Sequence, residues 1–300
     1  MTIVVAVPGS EAQTDRLCPL LGGERGVALV RRFPDGEIYV RIETPVQGRE
    51  VVLVCSLNRP SDKILPLLFL AATAKDLGAS RVGLIAPYLS FMRQDSRFHP
   101  GEGITSTYFA SMLSGAVDWL VTVDPHLHRW DSLDAIYRIP SRIARAAPAI
   151  AAWVRDHVSA PLLVGPDAES EQWVSAVAVL CDAPHLVLEK VRRGDRDVSV
   201  SAPQVDAHRG RTPVLVDDII STAKTMIETV LHLREAAMPA PICVGVHAVF
   251  ADDAHDDLLA AGAARIVTCT TVPHHSNQIA VDQPLADAAR EMIGSPARSW

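Results

Sequence analysis

Short apolar runs rich in β-branched residues recur along the 300-residue chain, at 3–7, 51–55, 82–86, 119–123, 162–164, 186–188, 214–216, 242–249 and 265–269. Between many of them lie Ala- and Leu-rich stretches whose apolar residues fall three and four apart, at 62–77, 105–114, 141–156, 168–181 and 222–236. The runs read as buried strands and the intervening stretches as helices with one apolar face. Strands that alternate with helices predict parallel sheets with crossover helices, so the fold class is α/β. A chain of this length suits two domains of about 150 residues. Pro140, Pro148 and Pro161 surround an Ala-rich helix near the middle, which divides the chain into 1–145 and 146–300. The halves share a strand-helix rhythm that is compatible with an old duplication, although no repeat follows from periodicity alone.

Composition removes several functional classes. No window approaches the roughly 18 uninterrupted apolar residues of a membrane span, and the run at 3–7 is too short and lacks the basic leader of a signal peptide. A cytoplasmic protein without membrane attachment is expected. The formal net charge of −7 argues against nucleic acid as main partner, because a phosphate backbone calls for a basic face. Cys18, Cys55, Cys181, Cys243 and Cys269 lie far apart with no C-x-x-C spacing, so they read as buried or free thiols. Only four of the 28 basic residues are lysine: Lys63, Lys75, Lys190 and Lys224. Lys63 and Lys75 read as ordinary helical surface positions, whereas Lys190 and Lys224 fall in segments that suggest chemistry.

The most informative segment is 214–225. An apolar strand ends in Asp217 and Asp218, and Ser221, Thr222, Ala223, Lys224 and Thr225 then lead into a helix. Backbone N–H groups and hydroxyls at a helix start form an anion site for a terminal phosphate. Paired aspartates cannot bind phosphate directly but suit ribose hydroxyls or a Mg²⁺ carried by the substrate. An ordinary strand-to-helix turn with solvated aspartates and an N-cap hydroxyl accounts for the same residues.

Other segments carry candidate chemistry. Phe33, Pro34, Asp35, Gly36 and Glu37 form either a hairpin turn or a base-binding element in which Phe33 stacks while the carboxylates accept from an exocyclic amine. Arg93, Gln94 and Asp95 follow a buried strand, where α/β proteins commonly bind ligands, and arginine offers a planar fork to phosphate. Asp124 and His126 close another strand and suit Mg²⁺ or phosphate. With His128 they also hint at a transition-metal centre, but no third ligand stands at a characteristic spacing. Asp167 ends a strand in the second half. Lys190 and Arg192 alternate, so in extended backbone both project to one side, where two cations can stabilise a migrating phosphoryl group or simply face solvent.

Taken in order, these segments resemble the ribose-phosphate diphosphokinases (PRPP synthetases) from about residue 5 to residue 282. Phe33 to Glu37 is similar to the family's F-x-D-G-E element, Arg93-Gln94-Asp95 to R-Q-D, and Val123-Asp124-Pro125-His126 to V-D-x-H. Pro166-Asp167 is similar to its P-D turn, Lys190-x-Arg192 to its catalytic K-x-R, and 217–225 to its ribose-phosphate loop. The resemblance implies two tandem phosphoribosyltransferase-like domains, each a mainly parallel sheet flanked by helices. It further implies a homo-oligomer that transfers the diphosphoryl group of ATP to ribose 5-phosphate with Mg²⁺. By the same resemblance Phe33, Asp35 and Glu37 hold adenine, from a neighbouring subunit, while Arg93, Gln94 and His126 contact ATP. Asp124, His126 and Asp167 serve the metal, Asp217 and Asp218 the ribose hydroxyls, 221–225 the 5-phosphate, and Lys190 and Arg192 the transition state.

Three departures stand out. Lys224 occupies the place of a usual glycine, where a side chain restricts positive φ, and Ser221 that of a frequent aspartate. The segment 168–173 is bulky and acidic where small glycines are common. The loop 97–104 lacks the arginine-rich pattern of the phosphate-activated class, which implies weak or absent allostery of that kind. A phosphoribosyltransferase acting on a base and a catalytically inactive regulatory subunit are the alternatives.

Overall fold

The computed structural model describes residues 1–188 and 207–295, together with the backbone of two short strands at 191–193 and 197–199. The chain forms two compact units, Met1–Arg145 with the segment from Asp282 onward, and Ala146–Val281.

The strands of the first unit are β1 (Ile3–Ala6), β2 (Glu24–Arg25), β3 (Ala28–Arg32), β4 (Ile38–Ile42), β5 (Glu50–Val54), β6 (Arg81–Ala86), β7 (Trp119–Val123) and β8 (Ser141–Ala144). Six of them build one sheet in the order β2-β1-β5-β6-β7-β8, parallel throughout, and β3 and β4 form a separate antiparallel hairpin. Helices α1 (Glu11–Leu20), α2 (Pro60–Asp76) and α3 (Thr105–Ala116) belong to this unit. Val51, Val52, Leu53 and Val54 are all fully buried, as expected of a central strand covered on both faces. Helix α2 starts on a proline whose missing N–H costs nothing in a first turn, and it buries the stripe Leu67, Leu70, Ala71 and Ala74.

The second unit repeats this plan. Strands β9 (Pro161–Gly165), β10 (His185–Val187), β11 (Val191–Arg193), β12 (Asp197–Ser199), β13 (Thr212–Ile220), β14 (Ile242–Ala248), β15 (Arg265–Cys269) and β16 (Asn277–Ile279) accompany helices α4 (Ala147–His157), α5 (Glu171–Cys181), α6 (Lys224–Glu235) and α7 (Ala254–Ala261). The sheet order is β10-β9-β13-β14-β15-β16, again parallel throughout, with β11 and β12 as an antiparallel hairpin. In each unit the hairpin is inserted between the edge strand and the strand that carries the next crossover helix. This shared topology is the structural counterpart of the rhythm common to both halves of the sequence.

Several expectations need correction. The helix foreseen at 141–156 is strand β8 followed by α4. Residues 141–144 pair with β7, and Pro148 sits in the first helical turn, where its ring is tolerated. Residues 282–295 do not join the C-terminal half. Helix α8 (Asp282–Arg290) buries Leu285, Ala286 and Ala289 and packs on α1, β7 and β8 of the first unit. The Nε of Arg16 bonds Asp282 at 3.0 Å and the Nε of Arg290 bonds the Leu20 carbonyl at 3.0 Å, which fixes the segment there. Lys63 is no surface position: half-buried, its ammonium donates to the Ser56 carbonyl at 2.7 Å and to Asn58 Oδ1 at 2.5 Å. Helices α1, α7 and α8 and strand β16 escaped the pattern reading because they are short or polar. The five cysteines are free thiols and all but Cys181 are buried, as expected. Among the described residues no helix is long and apolar enough to cross a membrane.

Gly83 in β6 lies flat against the fully buried indole of Trp119, so an added Cβ would overlap the ring. Overpacking of this kind typically costs about 1–3 kcal/mol. Gly83→Ala should therefore lower the midpoint of chemical denaturation by an amount in that range, and an unchanged midpoint would contradict the packing described.

Candidate active site

In each unit several motif-bearing residues follow the C-terminal ends of the parallel strands, the edge at which open α/β sheets bind ligands, while others sit on the antiparallel hairpins. In the first unit, the tip of the β3–β4 hairpin is a tight turn. The Gly36 N–H donates to the Phe33 carbonyl at 2.9 Å, the Phe33 N–H to the Glu37 carbonyl at 2.8 Å, and the Glu37 N–H to Asp35 Oδ1 at 3.1 Å. Gly36 has φ of +94°, which glycine adopts without strain. Asp35 and Glu37 are exposed, and Phe33 keeps 38% of its surface in solvent. The Arg31 guanidinium lies over the rings of Phe33 and Tyr39, 4.5 Å and 4.4 Å from their centroids, so a cation covers one face of each.

After β6, Arg93 is exposed and Gln94 half-buried, while Asp95 is buried and accepts from Arg129 at 2.9 Å. The third member of the triplet is thus a tether between the 93–95 segment and the loop after β7. At the end of β7, Asp124 is buried with φ of +26°, a strained value for a non-glycine residue, and its carboxylate is held by Arg145 at 3.0 Å. The His126 Nδ1 and His128 Nε2 atoms are 3.0 Å apart. Arg129 and Arg145, which pattern reading missed, fix the two aspartates. They follow the motifs at no regular spacing, so no periodic signal marks them.

In the second unit, β9 ends at Gly165 and Asp167 starts a 3₁₀ turn, Ala168–Ser170. The Asp167 carboxylate accepts from the Ser170 N–H at 3.1 Å and the Ser170 hydroxyl oxygen accepts from the Asp167 N–H at 3.4 Å, a reciprocal cap, and the same hydroxyl donates to the Asp167 carbonyl at 2.6 Å. A Cβ on Gly165 would stand 2.6 Å from that hydroxyl, so this turn requires glycine. The bulk at 168–173 does not obstruct it: Trp173 is buried in the unit while Glu169, Glu171 and Gln172 are exposed.

Next to β9, strand β13 delivers Asp217 and Asp218. The Asp218 N–H donates to Asp217 Oδ1 at 2.9 Å. Burial, then the carboxylates of Asp218 and Asp167, push the Asp217 carboxyl well above the usual carboxylate range, opposed only by that backbone N–H. Three carboxylates from two adjacent strands therefore share one electrostatic environment.

The turn after β13 is anchored by the Ala251 N–H, which donates to the Ser221 carbonyl at 3.2 Å. Helix α6 begins at Lys224, and Ala223 before it has φ of +56° and no side chain capping the helix. The positive φ thus falls on Ala223 rather than on Lys224, which is exposed in a helical first turn and bears no strain. The leading N–H groups of α6 have no intrahelical acceptors and follow the hydroxyl-bearing residues Ser221 and Thr222, with Thr225 in the first turn, a set of donors of the kind that can take an anion. Lys190 lies outside the described residues, and of Arg192 only the strand backbone in the β11–β12 hairpin is described.

Residues 2–116 match the N-terminal domain of ribose phosphate pyrophosphokinase, and residues 132–286 match the phosphoribosyl transferase domain. The ribose-phosphate pyrophosphokinase of Methanopyrus kandleri is 32% identical over 97% of this chain and 100% of its own length. That of Sulfurisphaera tokodaii is 32% identical over 88% of this chain and 89% of its own. The crystal structure of phosphoribosylpyrophosphate synthetase from Mycobacterium smegmatis superposes with a TM-score of 0.85 at 24% identity, covering 97% of this chain and 98% of that one, and so shares the fold. With both of its halves matched and relatives aligned along nearly its whole length, the chain belongs to the ribose-phosphate pyrophosphokinase family.

Proposed function

We propose that this protein transfers the diphosphoryl group of ATP to the C1 oxygen of ribose 5-phosphate, giving PRPP and AMP. The observation that carries the reading is the uncapped start of α6 directly behind Asp217 and Asp218: a phosphate site and a diol site separated by one turn. A phosphoribosyltransferase acting on a base would need only the second unit. The match of residues 2–116 to the pyrophosphokinase N-terminal domain favours the two-substrate reaction.

In this reading the 5-phosphate accepts hydrogen bonds from the N–H groups and hydroxyls of 221–225, with the Lys224 ammonium beside it, while Asp217 and Asp218 accept from the ribose hydroxyls. Arg93, Gln94 and His126 hold the ATP phosphates. The exposed tip of the β3–β4 hairpin, with Phe33 for stacking and Asp35 and Glu37 for the exocyclic amine, is suited to reach adenine on a neighbouring copy, so the working form is a homo-oligomer in the cytoplasm. The C1 hydroxyl attacks the β-phosphorus, the bond to the α-phosphate oxygen breaks and AMP leaves. Lys190 and Arg192 neutralise charge on the migrating group. Positioning and charge neutralisation dominate such a step, so no strong protein base is needed.

Mg²⁺ fits the donors present. Asp167, Asp217 and Asp218 are hard oxygen ligands, and the upward push on the Asp217 carboxyl marks negative charge that a divalent cation would relieve. Asp124 and His126 serve the nucleotide-bound ion in the first unit. When bound, Mg²⁺ supplies charge neutralisation on the phosphates and a template for in-line geometry.

Incubation with ATP, Mg²⁺ and ribose 5-phosphate should yield AMP and PRPP in equal amounts. Consumption of PRPP with a base and no ATP would instead identify the phosphoribosyltransferase, and no turnover with either pair the inactive subunit. Lys190→Ala and Arg192→Ala should each lower kcat by about 10²–10³ with KM values changed far less, in line with the loss of one transition-state donor. Steady-state kinetics that show the loss in KM alone would contradict their role. Lys224→Gly should raise the KM for ribose 5-phosphate about tenfold, equivalent to about 1.4 kcal/mol, while leaving the KM for ATP unchanged; an unaltered ribose 5-phosphate KM would remove Lys224 from the phosphate site. Asp218→Asn removes a like charge and should move the Asp217 carboxyl back towards the ordinary carboxylate range, followed by carboxyl ¹³C NMR titration. An unmoved titration would contradict the shared environment of the two carboxylates.

A further inference from the structure

The second unit carries a histidine cluster that the reaction does not use. His255 is the second residue of α7, and His274 and His275 lie in the loop between β15 and β16. The Nε2 atoms of His255 and His275 face each other at 3.1 Å. Two imidazole nitrogens bound to one ion at about 2.0–2.1 Å stand roughly 2.9–3.4 Å apart when they subtend angles between square and tetrahedral. The observed separation falls inside that window.

The surroundings are those of a ligand pair held in place. His255 Nδ1 lies 3.0 Å from Asp256 Oδ1, so this nitrogen donates to the carboxylate and Nε2 keeps its lone pair, the arrangement in which an outer carboxylate orients a metal-binding imidazole. The ring of His255 also meets Phe250 edge-on at 5.4 Å. On the other side, the His274 ring lies tilted by 34° against that of His275, with centroids 4.1 Å apart. The loop beneath is fixed: Asn277 Oδ1 accepts from the His274 N–H at 3.0 Å, and Asn277 Nδ2 donates to Thr268 Oγ1 at 2.8 Å and to the Cys269 carbonyl at 2.9 Å. His275 is exposed and the His255 side chain retains 16% of its surface, so an ion has access from solvent.

We propose that His255 and His275 form a binding site for a divalent transition-metal ion of the Zn²⁺, Ni²⁺ or Cu²⁺ class, completed by water. Nitrogen donors select such ions over Mg²⁺, which prefers oxygen. The site is distinct from the carboxylates at the ends of β9 and β13 and does not depend on the reaction assigned above. It lies on the loop that follows β15 and on the helix that follows Ala251, the residue whose N–H holds the Ser221 carbonyl.

Calorimetric titration of the full chain with Zn²⁺, in saturating Mg²⁺ to occupy the oxygen sites, tests this directly. One Zn²⁺ per chain should be lost, or weakened at least tenfold, in His275→Ala and in His255→Ala, with circular dichroism and thermal midpoint unchanged. Asp256→Asn should weaken it by about tenfold, the low end of what an orienting partner contributes. His126→Ala should leave this Zn²⁺ in place. Unchanged stoichiometry and affinity in His275→Ala, or loss of the ion in His126→Ala instead, would overturn the proposal and leave the two imidazoles as a hydrogen-bonded pair.

Discussion

A helix that starts without a cap is the constraint on which the account turns. The first N–H groups of α6 have no intrahelical acceptors, and no side chain of the turn supplies one. In a folded protein such donors must be satisfied by solvent or by a ligand, and the partial positive charge of the helix start favours an anion. Immediately upstream, near the end of β13, stand two carboxylates, and burial first, then the neighbouring carboxylates of Asp218 and Asp167, raise the Asp217 carboxyl above the usual range. Unmet donors on one side of a turn and carboxylates on the other are the features on which the proposed site for a phosphorylated sugar and its cation rests.

The duplicated topology sharpens this contrast. The turn after β5 in the first unit occupies the place of the turn after β13, and both present a residue with positive φ just before the helix, Arg59 at +51° and Ala223 at +56°. In the first unit the turn is filled from within. Lys63 donates into it through Ser56 and Asn58, and the Ser56 N–H is taken by the Ser10 hydroxyl at 3.1 Å. The second unit has no counterpart to this plug among the described residues. One of two topologically equivalent turns is thus filled by its own side chains, whereas no such filling is seen in the other among the described residues. The hairpins show a parallel divergence: β3–β4 presents Phe33 and two carboxylates, whereas β11–β12 carries Arg192.

Much of this was legible in the residues. Buried strands such as β5 and β13 announce themselves as apolar runs, and most motif residues follow such runs, the exceptions being those on the β3–β4 and β11–β12 hairpins. Other features were out of reach for physical reasons. Strand β8 was read as helix because alanines at 144, 146 and 147 continue the helical composition, while pairing with β7 is a tertiary effect. The return of α8 to the first unit depends on partners far away in sequence, up to the 270 positions that separate Arg290 from Leu20. Lys63 looked like a surface cation, since nothing in a local pattern shows that its ammonium is turned inward. The positive φ expected at Lys224 falls one position earlier, at Ala223, because Lys224 is already the first residue of the helix.

Backbone amide NMR of the full chain titrated with ribose 5-phosphate tests the central claim most directly. The account predicts that the largest shifts fall on the N–H groups of Thr222, Ala223, Lys224 and Thr225, with those of Asn58 and Arg59 unmoved. Shifts concentrated at Asn58 and Arg59, with the turn before α6 silent, would contradict it.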